Sequence, residues 1–155
     1  MTFAYQTASI SELKKQFSAL PAPAASVRHG FFRASFVGPA WLRLSARPSL
    51  EISGLPGWQG KKFLSVDDAT NVLKKRGTLV EALAMRVTPG VSQVDGRQGL
   101  ALHYVAKNGK PAPLPWRFVR DELRAVDADT LLCMTVIDLP VLRHLAFPFL
   151  LQREA

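Results

Sequence analysis

From Val27 onward the apolar positions fall into short alternating stretches punctuated by glycine and proline. Such a period of two is the mark of strands buried on one face. Val27–Val37 places Phe32, Ala34 and Phe36 on one side. Lys61–Leu64, Leu79–Thr88, Val91–Val94 and Leu100–Val105 read as further strands. So do Trp116–Val126, Thr130–Ile137 and Phe147–Gln152. Pro89-Gly90, Asp95-Gly96 and Asn108-Gly109 are turn dipeptides between them. Asp67–Arg76 fits either a bent strand or a helical turn. The first segment follows a different period. Ile10, Leu13, Phe17 and Leu20 recur at helical spacing, Ser9 or Ser11 is a capping residue, and Pro21 and Pro23 stop the run. Pro39–Ala46 suits a short helix, Pro48–Pro56 an irregular link, and Leu139–Leu145 a short helix or turn.

Many short strands separated by turn signals imply an antiparallel sandwich or barrel. The expectation is a mainly all-β chain, one domain over 1–155. A single antiparallel β-barrel would occupy 26–152. An N-terminal helix at 9–22 would pack against the barrel, with one of its ends as the natural place to plug.

Composition narrows this only moderately. The chain has 155 residues, 48% hydrophobic and 21% charged, enough for a real core. One cysteine, Cys133, excludes an internal disulfide and points to a reduced, cytoplasmic setting. The N-terminus lacks the basic-then-apolar order of a signal peptide, and no apolar run is long enough to span a bilayer. The formal net charge of +8 raises contact with nucleic acid or an anionic membrane surface. The lysines and arginines are dispersed, however. Specific nucleic-acid binding is therefore not expected, and an anionic membrane stays open as a partner.

The charges within Trp116–Val126 carry the most chemistry. By parity Trp116, Phe118, Arg120, Glu122 and Arg124 share one strand face, and Arg117, Val119, Asp121, Leu123 and Ala125 share the other. If the first face lines a cavity, Arg120 offers a guanidinium fork to a carboxylate or phosphate, with Glu122 helping to hold it. If it faces solvent, the same residues form cross-strand ion pairs of small value. Sequence leaves both open.

Three segments taken in order resemble a bacterial family. They are Leu20-Pro21 after the helix, Gly57-Trp58-Gln59-Gly60-Lys61-Lys62-Phe63, and Val126-Asp127-Ala128-Asp129-Thr130-Leu131-Leu132; the closing Pro148-Phe149-Leu150-Leu151 fits too. The family pairs a domain named for a Gly-X-Trp-X-Gly motif with an adjoining domain of unknown function. Where that motif should fall, this chain has Gly30-Phe31-Phe32-Arg33-Ala34, with phenylalanine for tryptophan and alanine for the second glycine. The resemblance implies a lipocalin-like or fatty-acid-binding-protein-like barrel and small hydrophobic or lipid-like ligands. It implies no reaction.

The expected function is therefore non-catalytic binding of a small hydrophobic ligand in a barrel cavity, with an arginine to take an anionic head group where the ligand carries one. Trp58, Phe63, Arg86, His103, Trp116, Phe118, Arg120 and Glu122 are the candidate contacts. Trp58 reads first as a packing residue closing a barrel end, and second as a contact at the cavity mouth. One rival is an isomerase or cyclase acting on a hydrophobic substrate in the same cavity, but no acid/base pair stands out. A second is a basic module for anionic membrane or nucleic acid. His29, His103 and His144 lack partners at metal-ligand spacing, so no metal and no cofactor is expected, although a single histidine such as His103 would suffice for haem. Cys133 reads as a buried structural thiol. No Gly-X-Ser-X-Gly elbow and no phosphate-binding glycine loop occurs. Oligomeric state is not legible.

Overall fold

The computed structural model describes residues 3–106 and 110–154. Eight antiparallel strands follow one another round a closed barrel: β1 (Gly30–Phe36), β2 (Trp58–Phe63), β3 (Asp68–Lys75), β4 (Thr78–Val91), β5 (Gln98–Tyr104), β6 (Val119–Ala125), β7 (Thr130–Ile137) and β8 (Ala146–Arg153). Closure is made by β1 against β8, in register from Phe32↔Arg153 to Phe36↔Phe149. The mainly β barrel expected from the alternation is thus the architecture. Among the described residues, its eight strands have no open sheet edge for another chain to pair with. Side chains of one parity fill the interior, among them Phe32, Phe63, Leu73, Met85, Leu102, Leu123, Leu131, Cys133 and Leu151.

Helix α1 (Ile10–Ala19) starts where the cap predicts, with Ser9 Oγ accepting from the Glu12 amide at 3.1 Å. It does not plug a barrel end. Leu13 and Phe17 lie on the outer wall against Leu132, Met134 and Leu150 of β7 and β8. These strands are apolar on both faces, and the outward set needs a cover.

The barrel end is covered instead by α2 (Ala40–Ser53), one continuous helix where sequence suggested a short helix and an irregular link. Pro48 sits inside it and removes an amide donor. The helix continues past it, with the Ser49 and Ser53 hydroxyls donating to the Ser45 and Ser49 carbonyls at 2.7 Å each. Gly54 ends it in the left-handed conformation, φ 106°.

Elsewhere the structure settles or moves the strand boundaries. Asp67–Arg76 resolves as strand β3. Pro89-Gly90 does not turn the chain, and β4 runs unbroken to Val91 because Pro89 and Gly90 stay paired with Leu100 and Gly99. Its bend lies at Leu83, φ 57°, near a register shift against β3. Trp116–Phe118 is a single 3-10 turn, so β6 begins at Val119. The Asn108-Gly109 turn lies outside the described residues.

Candidate ligand-binding cavity

Under α2 the barrel holds a cavity of about 290 Å³, at the lower end of small-molecule sites. Its roof is the inner side of the helix, with Leu42, Ala46 and Leu50 facing in. Phe36, Trp58, Trp116, Val119, Ile137 and Phe149 supply much of the wall. Trp58 stacks edge-on to Phe149, ring centroids 5.5 Å apart. Trp116 ties the β5–β6 connection to the lid, its indole N–H donating to the Ser53 carbonyl at 2.8 Å.

The polar part of the wall is a cluster that sequence reasoning missed. Lys61 Nζ lies 2.8 Å from Asp121 Oδ2, and both side chains are almost wholly buried. Nζ also donates to Asn71 Oδ1 at 2.9 Å and to the Tyr104 hydroxyl at 3.4 Å. Asp121 Oδ1 accepts from Thr135 Oγ1 at 2.6 Å. Asn71 takes a second donor from the Trp58 indole at 3.0 Å and gives its amide hydrogens to the Leu83 carbonyl and Tyr104.

A bulge puts Lys61 here. The register against β3 shifts between Trp58 and Gly60, so residues three apart, Trp58 and Lys61, both point inward. Gly60 is held against the β1 backbone, where a Cβ would overlap the Phe32 carbonyl oxygen. At Gly57, φ 71°, a Cβ would likewise overlap the Lys74 carbonyl oxygen. The Gly-Trp-Gln-Gly stretch is therefore the device that aims Trp58 and Lys61 into the cavity. Asp121 faces in because β6 places Val119, Asp121 and Leu123 inward, with Asp121 opposite Leu102 of the core.

Burial by itself would lower the Lys61 pKa. The Asp121 carboxylate and the Tyr104 hydroxyl more than offset it, leaving the pKa above its ordinary value. Burial raises that of Tyr104. Both groups therefore keep their protons at neutral pH. Burial also pushes the Cys133 thiol well up, which fits an inert core residue.

The sequence candidates divide. Trp58 and Trp116 line the cavity, and Phe63 lies in the barrel core against Phe32, centroids 5.7 Å apart. The other five do not reach it. Phe118 is 37% exposed on the turn before β6. Arg86 is exposed and pairs with Asp68 on the outer wall. Arg120 and Glu122 also face outward, because the inward parity belongs to Val119. Arg120 Nη2 contacts Glu122 at 2.9 Å and the Val91 carbonyl at 3.3 Å. Glu122 is buried beneath the β4–β5 loop, accepting from Ser92 Oγ and from the Gln93 amide. His103 sits beside Arg120 in register and is not among the described residues that line the cavity. The arginine fork expected for an anionic head is thus on the wrong side of the wall. Arg124, of the same parity, joins α1 to the barrel: it donates to the Phe17 and Leu20 carbonyls, pairs with Asp95 and covers the Phe17 ring.

One solved structure has the same fold. The chain is similar to a protein from Thermomonospora curvata seen in a crystal structure, with a TM-score of 0.69 and 16% identity over 97% of this chain and 90% of that one. No protein-family model matches the sequence, and no curated protein matches it. At that identity the likeness speaks for the barrel alone.

Proposed function

We infer that the protein binds a small, largely apolar molecule in the barrel and orients it by one uncharged polar group. The supporting observation is the cavity itself, an aromatic and aliphatic chamber with its polar atoms gathered round Lys61 and Asp121. The family resemblance carried by Gly57–Phe63 and Val126–Leu132 points to the same ligand class.

Hydrogen-bond accounting narrows the head group. The three Lys61 ammonium hydrogens have Asp121, Asn71 and Tyr104 to go to. The Tyr104 hydroxyl accepts from Lys61 and Asn71, which leaves its own hydrogen for a ligand acceptor. The Asp121 oxygens accept once each from Lys61 and Thr135 and keep lone pairs for a ligand donor. A hydroxyl or carboxamide supplies both. A carboxylate would set a second negative charge beside an ion pair that is already balanced, so the anionic head considered from sequence is the poorer fit.

The test is titration with octanol, octane and octanoate, followed by tryptophan emission. Octanol should bind tightest. Tyr104→Phe should bring it down about fivefold, the size of one neutral hydrogen bond, and leave octane unchanged. Octanoate binding best, or no binding by any of the three, would overturn the assignment.

A further inference from the structure

We propose that the mouth of the barrel docks on an anionic lipid bilayer, with α2 lying in the interface. The first observation is the outer side of that helix. Trp41, Leu44 and Ile52 are 61%, 78% and 89% exposed. With Pro48 they repeat at i, i+3, i+7 and i+11, which is one stripe along a helix. On the opposite side Leu42, Ala46 and Leu50 roof the cavity, and Trp41 reaches its rim, so the helix is apolar on two sides and Leu44, Pro48 and Ile52 have no cover among the described residues. Exposed large apolar side chains gathered on one surface mark an interaction site.

Strand order shows what surrounds this stripe. In an up-and-down barrel the β1–β2, β3–β4, β5–β6 and β7–β8 connections share one end, and here it is the α2 end. Leu114 on the β5–β6 connection, 63% exposed, and Val141 and Leu145 on the β7–β8 connection, 79% and 48% exposed, extend the apolar surface. The same connections are basic. Lys74 and Lys75 end β3 and Arg76 turns the chain into β4; Arg43 and Arg47 lie along one side of the stripe on α2. Lys110, Arg117 and Arg143 lie on the other two connections. Against them stand Glu51 and Asp138.

The far end is more nearly balanced. Its turns carry Asp67, Asp95, Asp127 and Asp129, but Asp95 and Asp129 pair with Arg124 and Arg153, and Arg28 and Arg97 lie there as well. Much of the net positive charge that looks dispersed along the sequence therefore gathers at the α2 end. An apolar stripe for the acyl boundary, a tryptophan at its edge and a basic surround for lipid phosphates are what an interfacial helix needs. The exposed apolar residues are mostly aliphatic, which suits acyl chains and offers little for base stacking. Docked this way the cavity roof rests on the membrane, so an apolar passenger could exchange without crossing water.

The experiment is sedimentation of the full chain with phosphatidylcholine vesicles, with and without an equal part of phosphatidylglycerol. Wild type should sediment with the anionic vesicles only, and its tryptophan emission should shift to the blue. Lys75→Gln with Arg76→Gln should weaken binding about 25-fold, about fivefold per charge. Leu44→Ser with Ile52→Ser should weaken it at least about tenfold. Both sites are exposed, so circular dichroism should stay unchanged. Leu64→Ser with Val66→Ser, at the far end, should have no effect. Trp41→Phe should keep sedimentation and lose the emission shift, since Trp58 and Trp116 are buried. Failure to sediment, an equal loss from the far-end variant, or tighter binding to a DNA oligonucleotide at the same salt would each overturn the proposal. Octanol binding in the cavity is measured without vesicles and stands or falls separately.

Discussion

The Lys61–Asp121 pair sets up a test in which two mutations should harm the fold less than one. At 2.8 Å the attraction is about 6 kcal/mol at an effective dielectric constant of about 20. Burying each charge costs several kcal/mol, so the net worth of the pair is small. Breaking it is different. Lys61→Met leaves a carboxylate in the barrel interior with only Thr135 as a donor, and Asp121→Val leaves an ammonium with neutral acceptors. Either single variant should lose about 3–5 kcal/mol, a large part of a typical domain's stability. The double variant removes both charges from an already apolar chamber and should cost less than either single. Urea unfolding followed by circular dichroism at neutral pH gives the three differences. The pH matters, and its sign is clear. A raised lysine pKa gives stability that is fully present below the ordinary value of 10.5 and lost only as pH rises through the folded value. Neutral pH therefore samples the intact pair. If the double variant loses the sum of the two singles, the residues do not act as a buried pair and the polar wall of the cavity has been misread.

Two further outcomes follow from other parts of the barrel. Gly60→Ala should destabilise by about 3 kcal/mol or more in thermal or urea unfolding, because its Cβ would meet the β1 backbone, which cannot step aside without opening the β1–β2 ladder; a loss under about 1 kcal/mol would contradict that packing. The His103 pKa is lowered by burial and by the Arg120 guanidinium, so the folded state holds the proton less tightly than the unfolded chain. Stability should therefore fall as pH drops below about 6.5, and His103→Asn should flatten that part of the curve.

The architecture was legible because strand alternation and turn dipeptides are local signals. The Thr130–Ile137 strand, the Asp95-Gly96 turn and the Ser9 cap each depend on a few neighbouring residues, and each is in place. Pro48 misled because a lone proline ordinarily ends a helix. Here residues on both sides keep helical geometry, and Leu42 and Leu50 still reach the cavity on one side of the axis. The destination of α1 depended on β7 and β8 being apolar on both faces. That pattern is visible in Leu131-Leu132-Cys133-Met134, but its meaning needs the partner element.

The polar cavity wall was missed for one reason that acts at two places. Side-chain direction in a strand depends on counting from a known start, and a shift of one residue exchanges the faces. On β6 the count was begun at Trp116 and Phe118, which pulled Arg120 and Glu122 inward with them. Those two aromatics belong to a 3-10 turn, so their direction says nothing about the strand that follows. Begun at Val119, the same residues read Val119, Asp121 and Leu123 inward, two aliphatics and one acid, the more apolar of the two faces. On β2 the bulge after Trp58 breaks the count itself, and only the flanking glycines hint at it. The lysine and the aspartate that meet in the cavity were therefore hidden by an irregularity in each strand. The arginines that stood out in sequence took the complementary positions, outside the wall, where they anchor α1 and the β4–β5 loop. A barrel with one acid inside must balance it from another strand. Once Asp121 is placed, a lysine facing it is the requirement, and Lys61, brought inward by the bulge, is the residue that meets it.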